Sequence, residues 1–124
     1  MLEIREDDLT GEQVRALLAF HLAEARAKTP AEFSFALDLS GLQTPDITVW
    51  TAWDGEEIAG VAALKTLRDG SGEVKSMRTH PDHLRKGVAG ALLGHIIDEA
   101  RRRGMRRLSL ETGTVPADVL NALK

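Results

Sequence analysis

Glu73-Val-Lys-Ser-Met77-Arg-Thr-His80-Pro-Asp-His-Leu84-Arg-Lys-Gly87-Val-Ala89-Gly90-Ala-Leu-Leu93 reads as a strand, a short loop and the first turns of a helix. The strand spans Glu73 to Thr79, and His80-Pro81 ends it. The stripe Ala89, Leu92, Leu93, Ile96, Ile97, Ala100 then carries the 3.6-residue period of a helix from Gly87 to Arg103, with Gly104 placed to terminate it in a left-handed conformation. The first N–H groups of such a helix have no partner within it, and its dipole places about half a positive charge there. Gly87, Ala89 and Gly90 are small enough for a ligand to reach that backbone, and Arg85 and Lys86 add countercharge, so the junction predicts a site for phosphate oxygens. The same small residues would let the helix pack closely on a sheet, and both readings stand at this point. Neither G-x-x-x-x-G-K-[ST] nor G-x-G-x-x-G is present, which disfavours a nucleotide-hydrolysing or dinucleotide-binding loop.

Working outward, Leu2-Glu-Ile-Arg5 alternates like a short edge strand and Glu6-Asp7-Asp8 reads as an acidic turn. Thr10-Gly-Glu-Gln13 has the pattern of a capping box, and Val14, Leu17, Leu18, His21, Leu22 and Ala25 continue at helical spacing to about Lys28. His21 on that apolar face is expected to be a satisfied core or boundary residue. Residues 29–46, with Pro30 and Pro45, predict irregular structure with one short helical turn that lines a pocket. Ile47 to Trp53 predicts a strand, Asp54-Gly55 a hairpin turn and Glu57 to Leu67 the returning strand. Arg107 to Thr112 predicts a last strand, which the helical crossover places parallel to the one before it. The order is β-α-β-β-β-α-β, an α/β (α+β) class with a mixed sheet, and Gly113 to Lys124 adds one short helical run after Pro116.

The 124 residues, 43 % of them hydrophobic, predict a single domain over residues 1–124 and argue against disorder. No apolar run approaches the ~18 residues needed to cross a bilayer and the start lacks a signal-peptide pattern, so a soluble, cytoplasmic protein with no membrane association is expected. The absence of Cys excludes disulfides, thiolate metal sites and a cysteine nucleophile, and the absence of Tyr excludes a tyrosine acid or base. Residues 1–72 carry a net charge of −7 and residues 73–124 one of +4, which suits an anionic ligand in the second half. All five aromatic residues lie before residue 54, so the basic half offers no ring on which bases could stack. The run Arg101-Arg102-Arg103 complements a helix C-terminus, and no nucleic acid partner is expected.

The stretch Leu84-Arg-Lys-Gly87-Val-Ala89, followed by Ala91-Leu-Leu93, resembles the motif Q/R-x-x-G-x-G/A with which the GNAT family of N-acetyltransferases marks its acetyl-CoA site. Met77-Arg-Thr-His-Pro81 looks like the family's strand end, and Arg101 to Glu111 like its helix end and next strand. The match departs at Leu84, where Gln or Arg is usual, which puts one side-chain contact in doubt. The resemblance implies a GNAT-like fold and transfer of an acetyl group from acetyl-CoA, as co-substrate and without a metal, to a primary amine of a small molecule or protein. It implies that the pantetheine arm pairs with the backbone at Met77, Arg78 and Thr79, and that Leu84, Arg85, Lys86, Gly87, Val88, Ala89 and Gly90 hold the diphosphate. Glu73, eleven residues before Leu84, matches the base position of the family's histone-acetylating branch, and Glu111 on the next strand is the second candidate. His80 and His83 flank the loop and are candidates for proton transfer or incidental surface residues. With no tyrosine, the leaving thiolate would take its proton from water or another group. The family usually continues through a further helix and strand pair, so this chain is expected to be C-terminally short, with a second copy covering strand 107–112 in a homodimer. An alternative is a non-catalytic acetyl-CoA-binding or dimerisation module derived from the same fold.

Overall fold

The structure is a computed structural model that describes residues 2–28 and 39–110. Its order is β1 (Leu2–Asp7), α1 (Glu12–Lys28), a helical turn α2 (Leu39–Leu42), β2 (Ile47–Asp54), β3 (Glu57–Thr66), β4 (Gly72–Thr79), α3 (Val88–Arg102) and β5 (Leu108–Leu110). The five strands lie in chain order in one sheet, antiparallel at the first three junctions and parallel between β4 and β5. The predicted element order and mixed sheet are therefore present. Asp54-Gly55 makes the expected hairpin, with Gly55 at φ 64° and Asp54 facing Glu57. Glu111, residues 29–38 and the run after Pro116 lie outside the described residues, as does the question of what covers the far side of β5.

Two local expectations are corrected. Glu6 and Asp7 are not a turn: β1 continues through them because β2 supplies a ladder as far as Asp7 opposite Val49. The turn starts at Asp8. The capping box does not form either, because both of its side chains find other partners. Thr10 Oγ1 donates to Asp8 Oδ1 (2.7 Å), while Gln13 Nε2 donates to Glu56 O and Gln13 Oε1 accepts from Ile58 N, each at 2.9 Å. Gln13 thus ties the first turn of α1 to the β2–β3 hairpin.

Strand alternation sends side chains to two cores. On one face Trp50, Ala52, Leu64 and Val74 meet Val88, Leu92, Leu93 and Ile96 of α3. On the other, Val49, Val61 and Ala63 meet Val14, Leu17 and Leu18 of α1 and Leu42 of α2. Fully burying each larger side chain contributes ~1.5–3 kcal/mol, so the two helices are held chiefly by these faces. α3 ends as its sequence predicts: Gly104 takes φ 80°, its N–H bonds Arg101 O at 3.0 Å, and Met105 N bonds Ala100 O at 2.9 Å. The arginines at that end have specific partners. Arg102 and Arg103 pair with the buried carboxylate of Glu99, and Arg103 also donates to Thr48 Oγ1 at 3.1 Å. Among the described residues no helix is long and apolar enough to cross a membrane.

Candidate functional site

The β4–α3 junction holds the first part of the site. Gly87 is the N-cap of α3 at φ 77°, ψ 19°, no side chain caps the helix, and Ala91 N to Gly87 O (2.9 Å) is its first intrahelical bond. The N–H groups of Val88, Ala89 and Gly90 therefore precede the helical ladder. Arg85 also takes a left-handed φ of 64°, which gives the approach to the helix a tight, twice-reversed path. A Cβ built on Gly87 or Gly90 would meet nothing within 4 Å, whereas one on Gly60 of β3 would sit 2.5 Å from Val88 Cγ1 and 3.0 Å from Leu92 Cδ1. Close packing of α3 on the sheet thus requires Gly60. It does not require Gly87 or Gly90, where a Cβ would find open space. Ala89 does pack against the α3-side core.

The second part is the edge of β4. Val61 pairs with Arg78 and Ala63 with Lys75, so Ser76 and Met77 together face Ala62 in a bulge, with Ser76 at φ 55°. β5 pairs with β4 at Gly72, Glu73 and Val74, and among the described residues no strand pairs with Met77, Arg78 and Thr79 on that side. Among the described residues, the backbone of Met77, Arg78 and Thr79 is thus a strand edge that leads from the helix N-terminus toward the bulge.

The third part is the α1 side of β4. Val74 points into the α3-side core, so Glu73 and Lys75 point the other way, and they form an ion pair at 3.0 Å. Arg78 faces Val61, which belongs to the α1-side core, and therefore projects to the same side. Arg78 Nε donates to His21 Nδ1 of α1 at 3.1 Å, and its guanidinium carbon lies 5.4 Å from the centre of the Phe20 ring. Arginine only donates, so His21 carries its proton on Nε2, a buried atom with no hydrogen-bond partner. Burial, reinforced by the charge of Arg78, lowers the His21 pKa from 6.5 to about 4. His21 is thus a boundary residue, as expected, but only half satisfied. A cavity of about 380 Å³ is bordered by Glu6, Asp7, Asp8 and residues of α2 and β2, and by no residue of β4 or α3.

The loop histidines are neither incidental nor free. His80 Nδ1 accepts from Asp82 N at 3.0 Å and caps the turn Pro81–His83. His83 is 4 % exposed. Lys86 Nζ donates to His83 Nδ1 at 3.2 Å and to Asp54 Oδ2 at 3.4 Å, and on the other side of the ring Nε2 lies 3.2 Å from Glu57 Oε2. Since Lys86 can only donate, His83 Nε2 carries the proton that goes to Glu57. One of the two loop cations is therefore held by the β2–β3 hairpin. Arg85 is exposed, and Leu84, at the departing position of the motif, is 60 % exposed and faces solvent. Sequence reasoning missed His21 as the partner of Arg78 and Asp54 and Glu57 as partners of the loop. Each pairing links residues at least 26 apart and has no local signal.

The Acetyltransferase (GNAT) family matches residues 12–119. An N-acetyltransferase of Escherichia coli K12 described as uncharacterised, YedL, is 50 % identical over 114 residues, covering 92 % of this chain and 72 % of that one. A Bacillus subtilis protein of the same description, YsnE, is 53 % identical over 114 residues, covering 92 % and 76 %. Among solved structures, ribosomal-protein-alanine N-acetyltransferase from Brucella melitensis biovar Abortus superposes with a TM-score of 0.72 at 26 % identity, covering 97 % of this chain and 86 % of that one. A Bacillus subtilis acetyltransferase in complex with CoA superposes with a TM-score of 0.68 at 20 % identity over 99 % and 73 %, a likeness of fold. This chain belongs to the GNAT family of acetyltransferases.

Proposed function

We propose that this chain transfers the acetyl group of acetyl-CoA to a primary amine. The observation that carries the reading is the cradle at the uncapped N-terminus of α3, where a Cβ on Gly87 or Gly90 would meet nothing within 4 Å, beside a strand edge that has no partner among the described residues. Charge-assisted hydrogen bonds from those N–H groups to a diphosphate contribute ~1.5–3 kcal/mol each where water is excluded. Arg85 supplies countercharge, and Lys86 adds to it from its seat on the hairpin. The edge of Met77, Arg78 and Thr79 takes the pantetheine arm as an added strand, which brings the thioester to the Ser76 bulge.

The remaining chemistry is positioning and proton transfer. Glu73 lies on the α1 side of β4 where β5 is still paired, three residues before the Ser76 bulge, so a water bridges its carboxylate to the incoming amine. The amine nitrogen loses a proton through that water and attacks the thioester carbonyl carbon. A backbone N–H on the open edge of β4 stabilises the oxyanion. The carbon–sulfur bond then breaks, and the CoA thiolate takes a proton from water. Titration calorimetry with acetyl-CoA, followed by measurement of thiol release with a panel of amines, tests the reading. Binding with release supports it. Binding without release favours the non-catalytic module, and no binding removes the cradle.

A further inference from the structure

Arg78 is placed unusually for an arginine in a half-buried position. Its Nε is held by an uncharged histidine and its face by Phe20, and among the described residues no carboxylate meets it. Taking a cation out of water without a countercharge is unfavourable, and neither a neutral ring nor an aromatic face supplies one. His21 adds no second charge, because burial and Arg78 itself keep it neutral near pH 7. The result is a single fixed positive charge. Because the Nε–H is taken, the donors left over lie at the Nη1–Nη2 end, two parallel groups whose spacing matches the two oxygens of a carboxylate.

The position of this charge gives it a role. Arg78 faces Val61, and the bulge faces Ala62, one residue away along β3. Adjacent strand residues are ~3.4 Å apart, so the foot of Arg78 is about one residue step from the bulge where the sheet opens. Glu73 and Lys75 are on the same α1 side. An amine delivered to the opening therefore has Arg78 within the span of a small molecule that carries both an amino and a carboxylate group.

We propose that Arg78 binds the carboxylate of the acceptor, so that the amine acetylated by this chain belongs to an amino acid or a similarly compact amino carboxylate, and that His21 is a positioning residue that aims the guanidinium. This rests on the transfer reading above. A free carboxylate pairs with Arg78 end-on and supplies the countercharge that no described residue gives it.

The test compares each of several amino acids with the amine that lacks only its carboxylate, at saturating acetyl-CoA, in the wild type and in Arg78→Gln and Arg78→Lys. The wild type is expected to prefer the amino acid by at least tenfold in kcat/KM. Arg78→Gln should reduce that preference at least tenfold, with the loss in the KM of the acceptor. Arg78→Lys, which keeps the charge but not the two-donor fork, should fall between the two. His21→Asn retains an acceptor but shortens its reach, and is expected to lower the preference without altering the pH dependence of kcat. Thiol release with no carboxylate preference, or a preference unchanged in Arg78→Gln, overturns this inference and leaves the transfer reading intact. Failure of acetyl-CoA to bind overturns both.

Discussion

Replacing Gly60 with alanine tests how the site is mounted on the fold. The added Cβ would lie 2.5 Å from Val88 Cγ1, 3.0 Å from Leu92 Cδ1 and 3.2 Å from Arg78 O. Comfortable carbon–carbon separations are ~3.5–4.0 Å, so Val88 must retreat by about 1 Å. Val88 is the first residue of α3 and is stiff at χ1, which means that the helix end has to move with it. Overpacking of this kind destabilises by ~1–3 kcal/mol, offset slightly by the reduced freedom of alanine in the unfolded chain. Urea denaturation is expected to show a net loss of about 1–2 kcal/mol, and calorimetry a weaker affinity for acetyl-CoA. Val88→Ala removes the clashing methyl, so the double variant should recover part of the loss, with a coupling well above the ~0.3–0.5 kcal/mol scatter of independent sites. Gly90→Ala supplies the contrast. Its Cβ meets nothing and its helical site favours alanine, so stability should hold or rise by up to ~1 kcal/mol while acetyl-CoA affinity falls. Additive behaviour of Gly60→Ala and Val88→Ala would refute the packing argument, and full affinity in Gly90→Ala would refute the cradle.

Gly87→Val places a β-branched residue at φ 77°, which is strained by ~1–2 kcal/mol and obstructs the approach to the helix N-terminus, so a folded variant should lose acetyl-CoA binding in calorimetry. Glu73→Gln should lower kcat at neutral pH with little change in acetyl-CoA affinity, and an undiminished rate would remove Glu73 as the base. Stability should depend on pH through His21. Between pH 4 and 6.5 the unfolded ring binds more protons than the folded one, whose pKa is lowered to about 4, so stability is lost as pH falls through that window and is complete above it. The ring is partly exposed, which discounts the full shift to roughly 1–2 kcal/mol. Thermal melts of His21→Gln should show a flatter profile over the same range, and identical profiles would refute this account.

The parts of this molecule that could be read from its sequence are those set by local pattern. The Asp54-Gly55 turn, the α3 stripe and the Gly104 stop are each decided within a few residues, and each forms. Gln13 shows the limit of such reading, because its capping pattern yields to backbone partners more than forty residues away. The Ser76 bulge has no glycine or proline to announce it. It arises from the register of β4 against β3, a property of two strands rather than one. The site divides in the same way. The glycines of the cradle are visible as a motif, but it is the geometry of Gly60, distant in sequence, that takes the packing role from them. The pairing of His21 with Arg78, 57 residues apart, depends on α1 crossing the sheet above β4.

The contacts of His83 join two segments that are far apart in sequence. The β2–β3 turn is a surface hairpin and the 84–87 loop is a strand-to-helix connection, yet Lys86, Asp54, His83 and Glu57 link them through one buried ring. In hydrogen exchange such a link makes them a single cooperative unit, whose amides open together. A ligand that settles on the loop is therefore expected to slow exchange in the hairpin as well. The amides around Gly55 become a remote reporter of occupancy at the helix N-terminus.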